Sequence, residues 1–196
     1  MILCCIAMED EMKYIVNHRS FNTKLILTGI GKVNAASHLA ESIARNHVEK
    51  IINLGFAGAS KGYEVGDLVL VERASYHDFD LTMFGYEKGQ VPGCPSYFQS
   101  DHELVEDVLK KYPHIKRGEL FTGDYFMTHD LDHKVIVDME GAALYQVAHA
   151  FNVPIISIKV ISDIIGHGNT EAYDTFNAEH GAKLLEEVYS KLILEG

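Results

Sequence analysis

The sequence predicts an α/β layered fold with a largely parallel central sheet. Three observations lead there. Apolar runs of strand length recur along the chain, and segments with the helical period separate several of them. Runs such as VPIISIKVIS also lack the alternation of a one-sided antiparallel sheet, so they should be covered on both faces.

In chain order, strands are expected at residues 2–7, 24–28, 50–54, 67–72, 117–122, 134–137 and 154–162. Val33, Ala36, Ala40, Ile43, Ala44 and His47 share one helical face. Leu104, Val105, Val108 and Leu109 share another, and Ala143, Val147 and Ala150 a third. A last helix over residues 175–194 closes the fold through Ala178, Ala182, Leu185, Val188 and Leu192.

The 196 residues suit a single domain, 1–196, with a sizeable core. Hydrophobic residues at 47% and charged residues at 23% are ordinary globular values. A net charge of -11 argues against nucleic acid and anionic membrane surfaces as partners. The opening MILCCIAM is short, has no basic flank and runs into Glu9, Asp10 and Glu11, unlike a signal peptide or a membrane span, so a cytoplasmic location is expected. Cys4, Cys5 and Cys94 match no zinc or redox spacing and are expected as free thiols. The eleven histidines include no HExxH pair, so no catalytic metal is expected.

In open α/β sheets, ligands bind beyond the carboxyl ends of the strands. Those ends carry Glu9 to Glu11, Gly29-Ile30-Gly31, Gly55-Phe56-Ala57-Gly58, Gly123 to Met127, Asp138-Met139-Glu140 and Ser162-Asp163. Each acid taken alone could cap a helix or sit at the positive end of its dipole. The Gly29-x-Gly31 turn lacks the third glycine of a dinucleotide fingerprint. Three acids facing one crevice would suit glycosidic cleavage through an oxocarbenium-like transition state: an acid for the leaving group, a base for water, and negative charge beside the sugar.

The strings AMEDEM, TGIGKVNAA, INLGFAGA, YHDFDLTMFGYEKGQVPGCP, GDYFM, VDMEGAA and ISD occur in an order that resembles the 5'-methylthioadenosine/S-adenosylhomocysteine nucleosidases over nearly the whole chain. That family belongs with the purine nucleoside and uridine phosphorylases. The resemblance implies a three-layer α/β/α fold around a twisted, mostly parallel mixed sheet. It implies hydrolysis of the N-glycosidic bond of 5'-methylthioadenosine, S-adenosylhomocysteine or 5'-deoxyadenosine to adenine and the 5-substituted ribose, without a cofactor, by a homodimer serving methionine salvage.

Roles carry over by motif. The resemblance makes Glu11 the general base for water, Glu140 the holder of ribose hydroxyls with Met139 against the sugar, and Asp163 the acid that protonates N7, oriented by Ser162. It makes the backbone of Phe126 and Met127 the reader of the adenine edge, with Phe126 stacking on the base and Ala57 and Gly58 lining the pocket. Met8, Ile30 and Tyr173 become walls of the ribose and 5' pocket, and Leu81, Phe84 and Pro92 reach the partner subunit's site. Adenine leaves poorly as an anion, so Asp163 needs a pKa raised by desolvation or a neighbouring charge.

The segments 12–28 and 128–137 are shorter than in the family pattern, and both flank the pocket. A remodelled 5' pocket could favour aminodeoxyfutalosine. A purine nucleoside phosphorylase on the same fold is a second alternative, although Glu11 would repel a phosphate and no GDP-x-R string is present. A non-catalytic nucleoside-binding module is a third, and the retention of all three acids weighs against it.

Overall fold

The computed structural model describes residues 1–18, 20–129, 133–166, 176 and 178–195. The elements are β1 (Ile2–Ile6), α1 (Glu9–Met12), β2 (Thr23–Leu27), α2 (Lys32–Arg45), β3 (Lys50–Ala59), β4 (Leu68–Tyr76), β5 (Phe98–Gln99) and α3 (His102–Lys111). They continue with β6 (Lys116–Thr122), β7 (Ile136–Asp138), α4 (Gly141–Phe151), β8 (Ile155–Ile164) and α5 (Ala178–Tyr189). Asp101 starts α3 by accepting the Leu104 N–H, and Asn152 ends α4 in the left-handed conformation at φ 53°.

The strands form one mixed sheet in the order β2-β1-β3-β7-β6-β4-β5, with β8 pairing both β3 and β4. β1 runs parallel to β2 and β3, β8 to β3, and β6 to β4 and β7. The contacts β3–β7, β4–β5 and β4–β8 are antiparallel. Strands β3, β7, β6, β4 and β8 therefore pair in a closed ring, a feature that apolar periodicity does not reveal.

Side chains of β1 alternate between two cores. Leu3 and Cys5 join Ala35 and Leu39 of α2 and Leu144 and Ala148 of α4. Cys4 and Ile6 join Val108 of α3 and Leu185 and Val188 of α5. Burial pushes the thiols of Cys4 and Cys5 up, Cys5 to about 12, so both pack as small hydrophobes.

Several sequence expectations need correction. β3 does not stop at Leu54 but continues through Gly55-Phe56-Ala57-Gly58 to Ala59, and β4 continues to Tyr76. On α2 the buried stripe is Ala35, Leu39 and Ser42, while Val33 is 77% exposed. Apolar residues flank that stripe on both sides, so periodicity admits two faces, and packing against α4 selects one. Ala150 is exposed, and α4 buries residues 141–145 and 148 instead. The expected start of the last helix at Thr175 lies outside the described residues. Among the described residues no helix is long and apolar enough to cross a membrane.

Candidate active site

A cavity of about 410 Å³ opens at the strand ends. The structure brings Met8, Ile30, Ala57, Gly58, Phe126, Met127, Met139, Glu140, Ser162 and Asp163 together on its wall. Tyr173 lies outside the described residues. Leu81, Phe84 and Pro92 do not line this chain's cavity; they sit on the 81–92 segment, where Met83 is 86% and Phe84 70% exposed.

Asp163 reaches the cavity through a local irregularity. β3 and β8 pair in register up to Ala57 and Ile161, then the register shifts so that Gly58 faces Asp163. This extra residue, Ser162, re-aims the strand as bulges do. The Ser162 hydroxyl lies 2.7 Å from Asp163 Oδ1, to which it donates. A Cβ at Gly58 would stand 3.1 Å from Asp163 Oδ2 and 3.2 Å from Val137, so a bare backbone admits the carboxyl group. Burial raises the Asp163 pKa, partly offset by the Ser162 hydrogen bond.

Glu140 lies at the start of α4 and accepts the Gly31 N–H at 2.9 Å. Burial, then the neighbouring Asp138 charge, raises its pKa to about 7 against the pull of Lys159.

Glu11 is 2% exposed and lies behind the wall rather than on it. Its carboxylate accepts the N–H groups of Ala7 at 3.1 Å, Met8 at 2.9 Å and Phe56 at 2.6 Å, and all three residues line the cavity. A Cβ at Gly55 would stand 2.8 Å from Glu11 Oε1, so β3 needs glycine there. Burial raises the Glu11 pKa, opposed by Lys159 and the three amides. The capping role that the sequence left open is also present, since Glu11 closes a capping box at the start of α1.

The sequence reading missed Lys159 and His77, and gave Asp138 no role beyond its place at a strand end. Lys159 is 2% exposed, and its ammonium group pairs with Asp138 at 2.8 Å. The charges of Asp138, Glu140 and Glu11 raise its pKa, in that order, although burial acts the other way. The signal was a lone lysine inside IISIKVIS, because a buried cation in an apolar strand requires anionic partners. Asp138 also accepts from the Thr122 hydroxyl at 2.6 Å and from the Gly141 N–H. His77 lines the cavity edge-on to Tyr125, with both ring nitrogens buried and without a partner among the described residues. Burial lowers its pKa, which favours a neutral ring. Among the described residues no group of three or more metal-ligating side chains is placed to hold an ion.

A carboxyl group whose pKa burial raises, a second at the start of a helix and a third aimed by backbone amides can act on a polar ligand by acid–base chemistry. The architecture and the cavity are those of a nucleoside-cleaving enzyme class, and the family model described as the phosphorylase superfamily matches residues 15–194. A 5'-methylthioadenosine/S-adenosylhomocysteine nucleosidase of Bacillus cytotoxicus is 38% identical over 186 residues, covering 86% of this chain and 80% of that protein. The crystal structure of such a nucleosidase from Neisseria meningitidis, in complex with methylthio-immucillin-A, is 31% identical with a TM-score of 0.83, covering 96% of this chain and 98% of that one. An S-adenosylhomocysteine nucleosidase from Streptococcus pyogenes, in complex with 5-methylthiotubericidin, is 29% identical with a TM-score of 0.87, covering 99% and 96%. The chain belongs to the 5'-methylthioadenosine/S-adenosylhomocysteine nucleosidase family.

Proposed function

We propose that the protein hydrolyses the N-glycosidic bond of adenine nucleosides such as 5'-methylthioadenosine and S-adenosylhomocysteine, releasing adenine and a 5-substituted ribose. One observation carries this reading: a single cavity joins Asp163, whose pKa burial raises and whose carboxyl group Ser162 holds, to Glu140, whose second oxygen accepts no hydrogen bond among the described residues.

Asp163 donates its proton to N7 of the purine, so adenine leaves neutral. The backbone at Phe126 and Met127 reads the adenine edge, with the Phe126 ring on the base. Glu140 accepts ribose hydroxyls, and its negative charge stabilises the oxocarbenium ion as the bond lengthens. Glu11 takes a proton from the attacking water. The charge of Lys159 opposes proton uptake by Glu11 and Glu140. Met8, Ile30 and Met139 form the ribose and 5' walls.

The same reading extends to assembly. The chain is one nucleosidase domain, 1–196, in a three-layer α/β/α arrangement with a mostly parallel sheet, supported by the two cores filled by different helix pairs. It works as a cytoplasmic homodimer in methionine salvage, in which Leu81, Phe84 and Pro92 close the partner's 5' pocket. Exposure of Met83 and Phe84 supports an interface at this segment. The test is adenine release from purified protein given 5'-methylthioadenosine, S-adenosylhomocysteine, 5'-deoxyadenosine and aminodeoxyfutalosine in parallel. Release from the first two is the expected result, and no release from any nucleoside would overturn the reading.

A further inference from the structure

Three loops that line the cavity come from the ends of β2, β4 and β6, and one side chain ties them together. Lys32, the first residue of α2, donates from its ammonium group to both oxygens of Asp78, at 2.7 and 2.6 Å. The same group lies 3.6 Å from Asp124 Oδ2, and the Lys32 backbone N–H donates to Asp124 Oδ1 at 2.8 Å. Asp124 closes the ring by donating its own N–H to Asp78 Oδ2 at 2.8 Å. The Lys32 ammonium group also lies over the Tyr76 ring, 5.4 Å from its centroid.

This ring is more than a surface ion pair. The Lys32 and Asp78 side chains are 24% and 16% exposed, and backbone amides fix two of the bonds, so little side-chain entropy is lost in holding it. Asp78 stays ionised, its pKa lowered by Lys32 and the Asp124 N–H against partial burial.

Each tied loop contributes to the cavity. The first carries Ile30 and the Gly31 N–H that holds Glu140; the second carries His77; the third carries Tyr125, Phe126 and Met127. Lys32, Asp78 and Asp124 themselves do not line it. We propose that Lys32 is a positioning residue whose clasp on Asp78 and Asp124 sets the purine-reading loop against the carboxylate that holds the ribose. The idea rests on the nucleosidase reading for the identity of its ligand.

Because the clasp touches no reacting atom, loosening it weakens substrate and transition state alike and raises KM more than it lowers kcat. Lys32→Met should raise KM for 5'-methylthioadenosine about tenfold with kcat within about threefold, and should weaken adenine binding in calorimetry by a similar factor, given how steeply function depends on placement. Lys32→Arg should restore most of both. Asp78→Asn combined with Lys32→Met should cost no more than either alone, as expected for partners in one network. Should Lys32→Met fail to fold, Asp124→Ala, which leaves Lys32 paired with Asp78, carries the same comparison. Wild-type KM and adenine affinity in the folded variants, a loss confined to kcat, or additive losses in the double variant would overturn the proposal. A wild-type protein that binds adenine but releases none from nucleosides would instead overturn the nucleosidase reading, and calorimetry on the variants would still decide the clasp.

Discussion

Lys159 and Asp138 meet at 2.8 Å, each side chain 2% exposed, and the lysine charge also reaches Glu140 and Glu11. A buried pair of this kind is far more sensitive to loss of one partner than an exposed one, because the survivor is left as an uncompensated charge.

Lys159→Met should therefore destabilise the protein by about 3–5 kcal/mol in denaturant titration. Without the ammonium group, Glu11 and Glu140 should hold protons to higher pH, so residual activity should shift its optimum upward. A variant with wild-type stability and an unmoved optimum would show that the cation is incidental to the site.

Asp163→Asn should keep the fold and slow adenine release by about 10²- to 10⁴-fold, the usual worth of a general acid. A riboside with a nitrophenolate leaving group needs no proton, so the variant should recover most activity on it. Stability at neutral pH should be unchanged or higher. Burial raises the Asp163 pKa, which means that its favourable contribution is present below the unfolded pKa and lost as pH rises through the folded one; the amide avoids that loss. Equal losses on both substrates would exclude an acid role.

For Glu140 the sign is the same and the window is defined. Its pKa rises from 4.5 unfolded to about 7 folded, so wild type should lose stability relative to Glu140→Gln as pH climbs between those values. The relative loss should be on the order of 3 kcal/mol across the window. Binding should move the opposite way, because the ionised form accepts ribose hydroxyls: nucleoside affinity should strengthen through pH 7 in wild type and stay flat in the variant. Parallel pH curves for the two proteins would contradict this assignment.

Much of the site was legible in the sequence because its acids fall at strand ends, where α/β topology collects them; Glu140 and Asp163 stand on one cavity wall, with Glu11 immediately behind it. The central strands were legible for the same reason that they are buried. The rest depends on distant partners. The bulge that aims Asp163 is a matter of pairing between β3 and β8, more than a hundred residues apart in sequence, and no local pattern encodes it. Gly55 to Gly58 are expected beyond the strand end, yet they continue β3 because β8 and β7 pair with them, while Glu11 and Asp163 fill the space where Cβ atoms of Gly55 and Gly58 would stand. On α2, the choice of Ala35 and Leu39 over Val33 is made by α4. Lys159 could have been found from its place in an apolar run, whereas the clasp of Lys32 on Asp78 and Asp124 joins three loops and has no sequence signature.

The exposed segment at 81–92 leads to a complementation experiment. Glu11→Gln and Phe84→Ala chains should each be nearly inactive on a nucleoside with an apolar 5' group. In a mixed dimer of the proposed kind, the site that keeps Glu11 would receive an intact Phe84 from its neighbour. Mixing the variants after reversible dissociation should restore measurable activity; verified heterodimers that stay inactive would place the segment in its own chain's site.

The most direct measurement of the central claim is product analysis with 5'-methylthioadenosine in phosphate-free buffer and again with phosphate added. Hydrolysis through Glu11 predicts adenine and free 5-methylthioribose in equal amounts, at the same rate in both. Turnover that begins only when phosphate is supplied, with a sugar 1-phosphate as product, would contradict it.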